Sequence, residues 1–449
     1  MSDIRALNFQ LKNIPDRLRK SSFVKNVFIV MTGTAAAQIL GFALSPVISR
    51  LYSPSDFGVF GSFNAVLTVI AAGVTLDYTQ AMMLPKQKED AINLFILSCL
   101  STAIVTSCCL TVCLFAPALL QDLMKAPNAW MLALLVVGIL ISGLNVAFQA
   151  WCVRVKAFKH TSASQVIRSL SSNGTQVGLG YLKGGALSLV FATVLGDVLA
   201  SVNLFRVLLP DLLAFRRNIR WGRIKRLAKD YRDFPMYSAS QNVINALSRG
   251  LPVILLTHFY GIAVAGAYVF GVRILSVPMR FVLTSLRQVL FQKASETHNS
   301  GGRLLPLYVK ITSGLFSMAI VPSAILIAWS PQLFSWVFGS QWLTAGEYAR
   351  FLILWLMFMF CNLPAILFAK IIRIQRRMFV FDLFLLAARA LALIVGGTYL
   401  PALSTIMLFS LVGAIMNIIF IVIVGCALMS KENDITWKGI PNIMTEGKS

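Results

Sequence analysis

Five arginines stand inside stretches long enough to span a membrane, of which the one holding Arg168, SASQVIRSLSSNGTQVGLGYL, is polar for a span: Arg168, Arg249, Arg273, Arg280 and Arg389. Asp77, Asp197 and Asp382 share that setting, although Asp382 lies near the end of its stretch and reads as interfacial. A charge at the centre of a bilayer costs roughly 2.5–3.5 kcal/mol on insertion scales, so each one needs a partner or a water-filled cavity. Spacing indicates what they can do. Arg273, Ser276, Arg280, Thr284 and Arg287 step by three or four and line one face of a helix. Ser238, Gln241, Asn242, Asn245, Ser248 and Arg249 form a second polar face, and Gln165, Arg168, Ser172 and Thr175 a third. Thr34, Gln38, Ser45 and Ser49 form a neutral fourth. Several amphipathic spans sharing a polar side imply an internal aqueous cavity, and the arginines make part of it positive. The guanidinium fork suits bidentate phosphate recognition, so an anion, phosphate first, is the expected ligand.

Two readings stay open for each arginine, a structural ion pair or a ligand contact. Arg168 with Asp197 and Arg249 with Asp77 are candidate pairs. Arg273 and Arg280 lie two turns apart on a span with no acid, which ion pairing alone explains poorly. Other chemistry is missing. His160, His258 and His298 are scattered, and no His/Cys/acid cluster suggests a metal. The seven cysteines lie in or beside apolar stretches and read as small buried hydrophobes. There is no G-x-x-x-x-G-K-[ST], hence no nucleotide-driven pump. Asn173-Gly-Thr matches a glycosylation signal but falls inside a span. No catalytic constellation, metal or cofactor is expected.

The elements that carry these residues follow from composition. The chain has 449 residues, is 57% hydrophobic and 13% charged, and bears a net charge of +23. Soluble domains are nearer 45–50% apolar and about 25% charged. A soluble enzyme, a disordered basic tail and a nucleic-acid binder are therefore excluded, and an all-α polytopic membrane protein is implied. Spans of roughly 20 residues are expected at 27–49, 59–84, 91–116, 129–150, 162–182, 186–209, 236–259, 262–286, 307–330, 348–369, 380–400 and 404–429. With the N-terminus inside, 31 of the 40 Lys and Arg fall in inside segments and 4 in outside loops, the rest within spans. That asymmetry places both termini in the cytoplasm. A cleaved signal peptide is not expected, since the first apolar run starts late and is too long. The longest outside loop is expected at about 331–347.

A basic stretch, 210–234, divides the spans six and six, between a first half at 27–209 and a second at 235–429. A 1–26 segment and a 430–449 tail flank them. RLYSPSDFGVF at 50–60 aligns without gaps to HFYGIAVAGAY at 258–268, pairing Tyr52 with Tyr260, Gly58 with Gly266 and Phe60 with Tyr268. Both fragments are the first outside turn of their half, so a parallel internal duplication is expected. The basic linker reads either as a solvated loop or as an amphipathic helix with Leu212, Phe215, Ile219, Trp221 and Leu227 facing lipid. Ile4, Leu7, Leu11 and Ile14 would let the N-terminal segment do the same. Gly174-x-x-x-Gly178 and Gly180-x-x-x-Gly184 offer close helix contacts. Pro46, Pro252, Pro278, Pro322 and Pro364 interrupt spans as kinks or hinges.

Three stretches carry a family resemblance: the opening run NVFIVMTGTAAAQILGFALSPVISRLYSPSDFGVFGSF with Arg50, Leu51, Pro54, Asp56, Phe57 and Gly58; YGIAVAGAYVFGVRI at 260–274; and SPQLFSWVFGSQWLTAGEYARFL at 330–352 with Gly339, Trp342 and Ala345. The chain resembles the bacterial polysaccharide flippases of Wzx type, in the multidrug/oligosaccharidyl-lipid/polysaccharide exporter superfamily. The resemblance implies a MATE-like, V-shaped pair of six-helix lobes in the bacterial inner membrane. It implies transfer of an undecaprenyl-diphosphate-linked oligosaccharide, for O-antigen or capsule, from the cytoplasmic to the periplasmic leaflet. It assigns the diphosphate to cavity cations, which by position are Arg249, Arg273, Arg280, Arg168 and, at the outer mouth, Arg50. Asp77 and Asp197 then stand as counter-ions or as sites for a coupling proton or sodium ion. Membrane lipids and a polysaccharide polymerase or chain-length regulator are the other implied partners, and no nucleic acid. A cation-coupled multidrug exporter would favour acids in the cavity, and a membrane-embedded polymerase or ligase would need a large outer loop.

Overall fold

A computed structural model describes residues 22–438 except 127, 300, 301 and 373. The amphipathic pattern of Ile4 to Ile14 lies outside the described residues. No strand occurs among the described residues. In hydrocarbon every backbone polar group must be satisfied within the chain, and long apolar runs meet that demand as helices. The first six long helices are α1 (Ser22–Leu51), α2 (Pro54–Gly73), α3 (Lys88–Phe115), α4 (Trp130–Arg154), α5 (Phe158–Tyr181) and α6 (Gly185–Phe215). The second six are α7 (Ser240–Tyr260), α8 (Ile262–Asn299), α9 (Leu304–Phe338), α10 (Leu343–Cys361, continued by Leu363–Ile371), α11 (Gln375–Tyr399) and α12 (Ala402–Lys438). Ten helices among the described residues are long and apolar enough to cross a membrane. The two long helices that fall short, α5 and α7, carry the polar faces described above.

The turn between α1 and α2 is tightly built. Ser53 caps α2, its Oγ accepting from Asp56 N at 3.2 Å while the Asp56 carboxylate accepts from Ser53 N at 2.9 Å, with Pro54 opening the helix. Several expectations need correction. The second span does not run unbroken from 59 to 84. It ends at Gly73, Leu76 and Asp77 take positive φ (49° and 57°), and a short helix Tyr78–Ala81 follows. The expected outer loop at 331–347 is mostly helix: α9 runs through Pro331 to Phe338, and only 339–342 connect it to α10. A Cβ on Gly174 or Gly178 would meet nothing within 4 Å among the described residues, whereas Gly196 of α6 brings its backbone against Arg168 and Ser172. The close α5–α6 contact thus belongs to the other helix. Helices continue through Pro46, Pro252, Pro278 and Pro322, and only Pro364 sits at a break. Cys108 and Cys426 are exposed rather than buried.

Within the first half α1 packs on α5, α5 on α6, α6 on α4 and α4 on α3. The second half repeats this with α7 on α11, α11 on α12, α12 on α10 and α10 on α9. The two tyrosines aligned in the sequence play equivalent parts. Tyr52 donates to Gln176 O at 2.7 Å, at the α5 end, and meets Ser188 Oγ of α6 at 2.9 Å. Tyr260 donates to Gly396 O at 2.8 Å, at the α11 end, and its hydroxyl meets Thr405 of α12. The halves meet where α2 lies against α7 and α8. A Cβ on Gly58 would stand 2.0 Å from Ile262 O, and one on Gly266 1.7 Å from Pro54 O. Pro54 and Ile262 are themselves equivalent in the aligned fragments, so the contact is reciprocal. A Cβ on Gly61 would meet Val269, its own counterpart, at 2.5 Å. This is the geometry of a pseudo-two-fold axis passing between α2 and α8, parallel to the helices.

Candidate anion-binding cavity

Three of the expected arginines come together at the junction of the halves. On α8, Arg280 Nη2 donates to Ser276 Oγ at 2.8 Å, and Ser276 Oγ donates to Arg273 O at 3.2 Å. Thr284 continues the face, donating to Arg280 O at 2.7 Å. On α7, Arg249 Nε donates to Asn245 O at 3.1 Å. Arg280 is close enough to feel the charge of both Arg273 and Arg249. Among the described residues no carboxylate lies within 4.0 Å of any of the three. Arg249 and Arg280 are exposed although they sit mid-helix in a membrane chain. Exposure to hydrocarbon would be costly for a guanidinium, so this face opens on water. The arrangement is a cationic ladder whose protein partners are neutral, short of negative charge and fit for an oxyanion.

The other predicted residues are placed differently. Arg168 is neutralised: its Nε lies 2.6 Å from Asp197 Oδ1 and its Nη2 donates to Oδ2 at 3.2 Å. Arg249 and Asp77 form no pair. Asp77 is buried and accepts twice from Gln80 Nε2, at 3.0 and 2.9 Å, with Ser238 also bonded to it. Arg50 is exposed at the end of α1, beside Gly339, and is not joined to the ladder. Arg389 is buried in the second half, its guanidinium over Trp355 at 4.6 Å and Phe409 at 5.4 Å. Asp382 bonds Gln241 of α7.

One cluster at the junction of the halves has no counterpart in the charge and spacing patterns. At the end of the molecule away from the basic linker, rings from both halves pack together. Phe57 meets Phe270 and Trp342 edge-on, each at 5.2 Å, and Trp342 stacks on Phe270 at 3.9 Å. Trp342 Nε1 and Gln341 Nε2 reach across to Ser49 O at 2.8 and 2.6 Å, and Ser49 Oγ donates back to Phe338 O at 3.0 Å. Arg273 lies directly beneath, 5.9 Å from the Phe57 ring centroid, within cation–π range. Only the aligned turn fragments and Trp342 in the 330–352 motif point toward this cluster.

Residues 47–347 match the family described as polysaccharide biosynthesis protein. The chain belongs to that family. The succinoglycan biosynthesis transport protein ExoT of Rhizobium meliloti is 24% identical over 315 residues, covering 68% of this chain; the match spans 60% of that relative's length. Among solved structures, lipid II flippase MurJ in an inward closed conformation superposes with a TM-score of 0.69 at 13% identity, covering 92% of this chain and 93% of that one. An inward-facing multidrug resistance MATE family transporter of the MOP superfamily gives 0.68 at 12% identity, covering 88% and 96%. The family protein described here is thus a multi-pass membrane protein with the MATE-like fold. The expected two-lobed helical architecture is the one observed.

Proposed function

We propose that this protein is a flippase that carries an undecaprenyl-diphosphate-linked oligosaccharide, an O-antigen or capsular repeat unit, across the bacterial inner membrane by alternating access. The observation that carries the reading is the ladder of Arg249, Arg273 and Arg280, free of carboxylates among the described residues, set in a water-accessible face below a ring cluster. The family match and the transport relative support the class of cargo. The guanidinium groups hold the diphosphate by charge-assisted hydrogen bonds, while the lipid stays in the bilayer. Arg50, beyond the rings, receives the anion once that end opens. Arg168 and Asp197 act as a pair within the first half, and Asp77, with neutral partners only, is the position for a coupling proton or sodium ion. The linker end faces the cytoplasm with both termini, as the charge asymmetry indicates. A cation-exporting role is disfavoured, because the acids near the cavity are already bonded and the free charges are positive.

Reconstituted protein should move a fluorescent undecaprenyl-diphosphate-oligosaccharide between leaflets. The double variant Arg273→Gln, Arg280→Gln should lower that rate at least about tenfold while the melting temperature holds, since two charge-assisted contacts are lost. Unchanged transport in the folded double variant would remove the assigned role. In cells, loss of the protein should leave repeat units accumulating on the cytoplasmic leaflet.

A further inference from the structure

The linker, read from the sequence either as a solvated loop or as an amphipathic helix facing lipid, does neither. Its helix, Trp221–Asp230, buries Ile224 and Leu227 at 4% and 5% exposure, and Leu212 and Phe215 pack into the same core beside α3. Only Trp221, at 61%, stays outward of the helix's large apolar side chains. The apolar face is spent on the protein, so the linker is docked rather than afloat.

Docking is reinforced by polar contacts that hold the turn before the helix in one shape. Asn93 of α3 is fully buried (0%). Its Nδ2 donates to Asn218 O at 3.1 Å and its Oδ1 accepts from Arg220 N at 3.2 Å. Arg223 lies 3.7 Å from both Glu89 and Asp90, and Arg226 4.0 Å from Asp90. Lys88 and the Trp151 indole meet Asp211, at 3.9 and 3.2 Å. A solvated loop that merely obeyed charge asymmetry would need none of these clamps.

What the clamps leave facing outward is predominantly basic. Arg216, Arg217, Arg220, Lys225 and Lys229 are exposed, and no carboxylate lies within 4.0 Å of them among the described residues. Asp230 is the one exposed acid in the same helix. Lys225 Nζ sits 5.6 Å from the Trp221 ring. The row lies where α3 begins and α6 ends, next to the exposed Leu209 and Leu213, at the edge of the apolar belt. An indole at that depth and basic groups above it are the pairing that a lipid surface selects.

We infer that residues 216–229 form a preorganised cationic ledge that binds the phosphate groups of anionic phospholipids on the linker side of the membrane. Electrostatic attraction supplies the binding, Trp221 sets the depth, and Asn93 fixes the spacing of the arginines. The ledge would hold that end of the first half against the leaflet. This surface is independent of the cavity ladder and of what the cavity transports.

The test uses the full-length protein in detergent, with lipid retention read by native mass spectrometry. Wild type should retain phosphatidylglycerol over phosphatidylcholine, and millimolar pyrophosphate should not displace it. Arg216→Ala, Arg217→Ala, Arg220→Ala together should weaken phosphatidylglycerol retention at least about tenfold, given what each basic residue contributes near an anionic surface. Asn93→Ala, which changes no charge, should weaken it severalfold. Trp221→Ala, at an exposed position with little bearing on folding, should do the same and stands in should Asn93→Ala fail to fold. Wild-type retention in the triple variant would overturn the ledge. So would full retention in both charge-neutral variants, which would reduce it to diffuse attraction, or displacement by pyrophosphate, which would make it a site for free phosphoanions.

Discussion

Arg168 and Arg280 are the same residue type in similar polar stripes, yet they have different fates. Arg168 finds Asp197 at 2.6 Å on the neighbouring helix, while Arg280, among the described residues, finds Ser276 and the fields of two other arginines but no acid. A charge with a partner belongs to the architecture; a charge without one is available to a ligand. For the pair, Asp197→Asn alone leaves a guanidinium uncompensated at membrane depth and should lower thermal stability. Arg168→Gln with Asp197→Asn should recover part of it, and the double-mutant cycle should show coupling of about 0.5–3 kcal/mol. Coupling near zero in the melting curves would mean that water already screens the pair. The periodicity of 165–175 displayed the arginine's face, but which acid lay opposite depended on how α5 and α6 pack.

At the scale of elements, glycine decides how close helices come. Gly58 and Gly266 let α2 and α8 cross with backbone carbonyls where a Cβ would be, at 2.0 and 1.7 Å. Either change to Ala forces the helices apart, and overpacking of this kind costs about 1–3 kcal/mol. Gly174 and Gly178 face open space, so Ala there should be neutral or stabilising, by up to about 1 kcal/mol from helix propensity. Comparing melting temperatures of the four variants checks the contrast. Of the two G-x-x-x-G spacings, the one at Gly174 and Gly178 marks no contact among the described residues, whereas a Cβ on Gly180 of the second would meet Leu51 and Tyr52 at 3.0 Å, because small residues permit close approach without requiring it. Gly58 and Gly266 were visible instead through the alignment of the two halves. The break at Asp77 was hidden too: hydropathy continues through 74–84, and only the burial of that carboxylate against Gln80 and Ser238 favours a turn.

For the whole molecule, the halves are locked at one end by Phe57, Phe270 and Trp342, while the cationic face is exposed further toward the linker. Ser62, fully buried and 3.2 Å from Thr257 across the junction, lies behind that lock. In a cysteine-free background, Ser62→Cys should be nearly unreactive toward a membrane-impermeant thiol reagent added from the ring-cluster side. Adding Trp342→Ala removes the stack on Phe270 and the bond to Ser49, and should raise labelling at least about tenfold, the order expected from one lost hydrogen bond plus packing. Equal labelling in both would show that the rings do not seal that end.

Composition and periodicity by themselves determined the helical, polytopic character of the chain and the faces that carry charge. The reason is local: hydrocarbon thickness sets the length of an apolar run, and backbone polar groups in lipid have no other solution. The repeat of the two halves was also legible, in one aligned turn. The tertiary structure alone decided which charges cancel, which apolar face meets protein rather than lipid, and where the halves close. Arg389 over Trp355, Leu227 in the α3 core and Trp342 against Ser49 all depend on residues distant in the chain. A local pattern names a face of a helix, but the partner of that face is set by packing.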